Sequence, residues 1–183
     1  MRKKNQRKIR NLSNVALGAA LICVCSWISI PTPVPFTMQT FAVFFVLSTL
    51  GGGWGTASIL LYVFLGALGL PVFSRFNAGV GVLFGSTGGY VLGFILMGLL
   101  YFILSRLFGE KPFLEVLYLL LGLFILYVFG TFWFYFVYLK GGEKAGLTAI
   151  LSWCVFPFVV PDLIKLFLAL LLKKRLLPII RRS

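Results

Sequence analysis

Between residues 13 and 172 the chain is a succession of long apolar stretches separated by short polar gaps. A helix needs ~20 consecutive apolar residues to cross the ~30 Å hydrocarbon core of a bilayer. Within that core every backbone N–H and C=O must be satisfied internally, which selects helices for runs of this kind. Composition agrees: 60% of the 183 residues are hydrophobic and 11% are charged, against ~25% charged in soluble domains. The expected fold is an all-α integral membrane protein of about six transmembrane helices, with residues 1–183 forming a single transmembrane domain.

Spans are expected over residues 13–30, 36–50, 56–70, 90–107 and 113–136, and a less regular sixth follows. The first gap, PTPVP at 31–35, carries alternating prolines that fix φ and remove donors, so it reads as stiff and extended. The second, GGGWG at 51–55, reads as a tight turn. The segment 71–89 is rich in glycine and weakly periodic, which predicts an irregular external loop or re-entrant backbone. In the last region Pro157 and Pro161 interrupt the pattern. They predict a short half-helix, a break at 157–161, and a helix from Asp162 beyond Leu172. Broken helices of this kind often build binding sites in membranes. A single proline-kinked span is the plainer alternative.

The formal net charge is +13, which in a soluble protein points to nucleic acid. Here the basic residues flank the apolar runs, so they read as topology signals and contacts to membrane lipids, with no nucleic-acid partner. Arg2, Lys3, Lys4, Arg7, Lys8, Arg10, Arg106, Lys111, Lys173, Lys174, Arg175, Arg181 and Arg182 fall on one side of the membrane. Arg75, Lys140 and Lys144 fall on the other. This bias places both termini, with basic tails at 1–12 and 173–183, in the cytoplasm of a cell-membrane protein. The basic start and following apolar run resemble a signal peptide without a small-x-small cleavage site, so the run is expected to stay as the first span. The irregular segments then share the external side, near an aromatic belt at Phe132, Trp133, Phe134, Tyr135, Phe136 and Tyr138.

The residues needed for most enzyme chemistry are missing. There is no histidine, and the acids are Glu110, Glu115, Glu143 and Asp162. Cys23, Cys25 and Cys154 have no metal-ligand company, and no phosphate-binding loop is present. The expectation is a non-enzyme without cofactor or metal.

Asp162 and Lys165 stand out. A charge at bilayer depth costs roughly 2.5–3.5 kcal/mol on insertion scales. Three residues apart on a helix, the two share a face and can neutralise each other. They can also hold a polar, anionic ligand. Asp162, following Pro161, reads as an N-cap or first-turn acid. A first-turn lysine opposes the helix dipole, so Lys165 is expected to meet an anionic group. Thr37, Met38, Gln39 and Thr40 open the second span, and Gln39 offers both donor and acceptor, to a ligand or to another helix. Asn77 and Tyr90 bracket the glycine-rich segment and are candidates for the same pocket. Phe36, Phe76 and Phe84 are candidate apolar walls. Ala16 and Ala20 form a small-xxx-small pair suited to close approach by another helix.

Four segments in order, IPTPVPFTMQTFAV, LYVFLGALGLPVF, VLFGSTGGYVLGF and FPFVVPDLIKLFLA, resemble the signature segments of BioY. That family comprises the biotin-binding S components of energy-coupling-factor (ECF) transporters. The resemblance runs over almost the whole chain. Ser86 stands where the family pattern has proline, and Pro161 directly precedes the aspartate. The resemblance implies a six-helix subunit that captures biotin near the outer surface. It has no motor and joins a transmembrane coupling subunit and two ATPase subunits, although some members work without them. It also implies that Ala16 and Ala20 meet the coupling subunit. Biotin fits the residues above. Lys165 would take its carboxylate, and Asp162 would accept ureido N–H groups or hold Lys165. Gln39, Asn77 or Tyr90 would donate to the ureido carbonyl. An S component or carrier for another vitamin or small organic anion is the alternative.

Overall fold

The computed structural model describes residues 2–32, 34–140 and 146–182; the expectations for Pro33, Glu143 and Lys144 fall outside them. The elements in chain order are α1 (Arg2–Trp27), β1 (Ser29–Ile30), β2 (Phe36–Thr37), α2 (Gln39–Ala67), a 3₁₀ turn (Ser74–Phe76), α3 (Val80–Phe84), α4 (Gly88–Phe108), α5 (Pro112–Lys140), α6 (Leu147–Cys154) and α7 (Phe156–Arg182). Helix α1 begins at Arg2 and α7 runs to Arg182, so the basic segments 2–12 and 173–182 are helical.

α2 is a helical hairpin. Gly51 has φ 77° and ψ 172°, a left-handed conformation that glycine adopts without a Cβ penalty. Beyond it the chain doubles back: a Cβ at Gly55 would lie 2.9 Å from the Leu47 Cα. In a straight helix eight residues span about 12 Å. The two arms are the expected second and third spans, joined by the GGGWG turn. With α1, α4, α5 and the α6–α7 pair they complete about six crossings.

The last crossing breaks at Val155, two residues ahead of Pro157. Val155 N–H closes α6 on Leu151, and the Val155 carbonyl accepts the first-turn donors Phe158 and Val159 of α7. Both prolines therefore lie inside α7. Pro157 occupies the first turn, where its missing N–H has no partner to lose, and Pro161 forgoes one bond. Asp162 is consequently the seventh residue of α7, so the N-cap expectation is corrected.

α1 packs on α2, α2 on α4 and α7, and α4 on α5. Ile22, Phe44, Leu47, Ile59, Tyr62, Phe73, Met97, Leu119 and Leu126 form the central core. Phe73 seats against Gly66, where any Cβ would overlap its ring. One end of the bundle gathers the Gly51 turn, Glu110 and the Glu115–Lys173 ion pair. At the other end lies the small antiparallel β1–β2 hairpin, with Ser29 opposite Thr37. Segment 71–87 covers that end, tied down by Ser26 Oγ to the Val72 carbonyl (2.5 Å) and Trp27 Nε1 to the Pro71 carbonyl (2.9 Å). Its expected irregular backbone contains α3 and the 3₁₀ turn.

Candidate ligand-binding site

The sequence of α7 places a charged pair one turn apart on the face turned toward α2. Asp162 and Lys165 are 2% and 5% exposed, so neither relies on water. Lys165 Nζ lies 2.7 Å from Asp162 Oδ1, 2.8 Å from the Thr37 carbonyl and 3.1 Å from Thr40 Oγ1. The three ammonium donors thus have three acceptors. The Phe36 ring lies 4.0 Å from the same nitrogen, a cation–π contact. Phe36 in turn stacks on Phe158.

Asp162 is equally satisfied. Thr40 Oγ1 donates to Oδ1 at 2.8 Å, and Tyr127 of α5 donates to Oδ2 at 2.7 Å. A buried ion pair is held without large penalty when its remaining valences are hydrogen-bonded in this way. Beside it, Thr37 Oγ1 donates to Gln39 Oε1 (2.9 Å), and Gln39 Nε2 donates to Tyr62 OH (2.6 Å).

These groups line a pocket at the β-hairpin end of the bundle. Its inner void is about 60 Å³, within a cleft of about 560 Å³ that includes its open mouth. Lys165, Asp162, Thr40, Gln39 and Thr37 form its polar wall. Val91, Phe94, Leu126 and Phe158 form apolar walls, and Val34, Pro35, Ser74 and Thr87 bring three connecting segments over the mouth. Tyr90 lines the pocket from α4, with its hydroxyl 3.0 Å from Thr131 Oγ1 and 3.4 Å from the Cys154 carbonyl. Its ring lies over Gly130, where any Cβ would overlap it.

Of the residues singled out in the sequence, Lys165, Asp162, Gln39, Thr37 and Tyr90 meet in this pocket, and Phe36 caps the ammonium from its edge. Asn77 and Phe84 do not join them. Asn77 Nδ2 donates to the Ser74 carbonyl at the surface (3.0 Å), and Phe84 is 69% exposed on α3. Phe76 stacks on Trp27. Tyr127 carries no sequence signal within the aromatic run of α5, and its role follows from the tertiary meeting of α5 with α7. Ala16 and Ala20 are exposed on α1.

A bundle of helices long and apolar enough to cross a membrane, holding a pocket lined by a buried acid–base pair, is built as a small-ligand-binding component of a membrane transporter. Comparison with known proteins refines the class. The BioY family model matches residues 1–182. The biotin transporter BioY of Thermotoga maritima is 44% identical over 172 residues, covering 92% of this chain and 96% of the relative. A probable biotin transporter BioY of Pyrococcus horikoshii is 37% identical over 170 residues, covering 92% and 97%. A crystal structure of the S-component for biotin from an ECF-type ABC transporter superposes with TM-score 0.79 at 27% identity, covering 98% of this chain and 94% of that one. The chain belongs to the BioY family.

Proposed function

We propose that this multi-pass membrane protein is a substrate-binding (S) subunit that captures biotin for uptake. The observation that carries the reading is the Lys165 ammonium, buried and held by Thr37, Thr40 and Asp162 in the polar wall of a pocket whose facing walls are apolar. Biotin's carboxylate supplies the anion that such a cation recognises in a desolvated site. Its ring and alkyl chain suit Val91, Phe94, Leu126 and Phe158. Gln39 and Tyr90 are the candidate partners of the ureido group.

Asp162 acts first as the counter-ion of Lys165, because both its oxygens already have donors in this state. A ligand carboxylate reaching Lys165 replaces part of that network rather than filling an unmet valence. The small inner void implies that the connections at the mouth move aside as biotin enters. The proposed contacts exclude Asn77 and Phe84.

The subunit contains no motor motif, so we assign energy input to an ECF module: a transmembrane coupling subunit with two ATPase subunits. The exposed pair Ala16 and Ala20 is the proposed docking face, since small residues permit close helix approach. The proposed location is the cell membrane, with both termini cytoplasmic and the pocket facing out. The reading is tested by purifying the protein from cells fed a mixture of vitamins and identifying the retained molecule by mass spectrometry. Biotin is expected. Retention of another vitamin or organic anion in its place would transfer the same architecture to that ligand and overturn the assignment.

A further inference from the structure

The two oxygens of Asp162 are served from different helices. Oδ1 takes Thr40 of α2 and Lys165 of α7, whereas Oδ2 takes the Tyr127 hydroxyl of α5 at 2.7 Å. Tyr127 reaches across a thin seam, between α5 and α7. α5 lies along α4, α7 lies along α2, and α5 and α7 approach each other at few points. Among the described residues two polar bridges cross this seam: Tyr127–Asp162 beside the pocket, and Glu115–Lys173 at the opposite end. An apolar groove runs between α5 and α6 beside this seam, lined by Phe124, Val128, Leu151 and Val155. Tyr127 lines both this groove and the pocket.

A carboxylate turns about a terminal sp³–sp² torsion with a broad profile. Thr40 and Lys165 hold one of its oxygens, and only a donor on the other fixes its plane. We infer that Tyr127 is a positioning residue for ligand capture: by anchoring Oδ2 it fixes the plane of Asp162, and through Asp162 it sets where the Lys165 ammonium meets the ligand carboxylate. Its ring meanwhile separates the pocket from that groove. Preorganisation of this kind removes an ordering cost that binding would otherwise meet. The inference rests on the biotin reading above and adds a residue that never touches the ligand's charge.

The test is Tyr127→Phe, which keeps the ring partition and removes the hydroxyl. Purified wild type and variant are titrated calorimetrically with biotin and with its neutral carboxamide, and their ligand-free melting temperatures are compared. The affinity of the variant for biotin is expected to fall about tenfold, in line with a lost hydrogen bond to a charged group. Its affinity for the carboxamide, which makes no ion pair with Lys165, is expected to change less than about twofold. An unchanged biotin affinity would overturn the inference, and so would equal losses for both ligands, which mark general damage to the fold. Failure of the wild type to bind biotin would instead overturn the functional reading, and this inference with it.

Discussion

Lys165 Nζ and Asp162 Oδ1 lie 2.7 Å apart on successive turns of α7, and both side chains are almost fully buried. The pair is asymmetric in its surroundings. The ammonium faces a backbone carbonyl and an aromatic ring of the β2–α2 junction, whereas the carboxylate faces hydroxyls from α2 and α5. Exchanging the residues, Asp162→Lys with Lys165→Asp, keeps an i,i+3 pair but sets a carboxylate against the Thr37 carbonyl. The exchanged protein is expected to lose at least about thirtyfold in biotin affinity, since truncating or misplacing one partner of a buried charge pair costs about 2–5 kcal/mol or more. Calorimetric titration of folded, monodisperse variant checks this. Near-wild-type affinity would reduce the pair to structural glue.

Gly130 makes room for Tyr90, a pocket wall, because a Cβ there would overlap the tyrosine ring. Gly130→Ala should push Tyr90 off its Thr131 contact. Overpacking of this kind costs about 1–3 kcal/mol, so a lower melting temperature is expected together with weaker biotin binding. A variant with reduced stability and unchanged affinity would remove Tyr90 from the ligand wall.

The turn of the α2 hairpin depends on Gly51 at φ 77°. Gly51→Ala forces a Cβ into the left-handed region, at a cost of about 1–2 kcal/mol. A melting temperature lowered by a few degrees is the expected reading, with biotin affinity retained because the turn lies at the end of the bundle away from the pocket. An unchanged melting temperature would contradict the backbone assignment.

Much of this architecture is legible in the sequence because lipid imposes it. Apolar run lengths set the spans, and the glycines of GGGWG mark the α2 turn. The cost of charge at depth marks Asp162 and Lys165. The break of the last crossing is less legible: prolines signal interruption, yet Pro157 fits the first turn of α7, so the discontinuity moves to Val155. The site is readable where polarity is anomalous for its run, as at Gln39. It is unreadable where an ordinary aromatic acquires its role from a helix far along the chain, as Tyr127 does from Asp162. Asn77 and Phe84 show the converse, since closeness in sequence to a loop over the pocket did not place their side chains inside it.

The Glu115–Lys173 bridge, at 2.5 Å, ties α5 to α7 at the end remote from the pocket. Glu115→Gln keeps shape and a hydrogen bond but removes the charge. A loss of about 1 kcal/mol, read as a drop of about 2–4 °C in melting temperature, is expected for a chain of this size. Biotin affinity should stay within about twofold. A large loss of affinity at unchanged stability would show that this end of the seam communicates with the site.

The central claim is that Lys165 is the ligand's cation. Its most direct test is a calorimetric titration of biotin into purified wild-type protein and into Lys165→Ala, each first shown to be folded and monodisperse. Saturable binding by the wild type and a loss of at least about thirtyfold in the variant are expected. Equal affinities in the two proteins would contradict it.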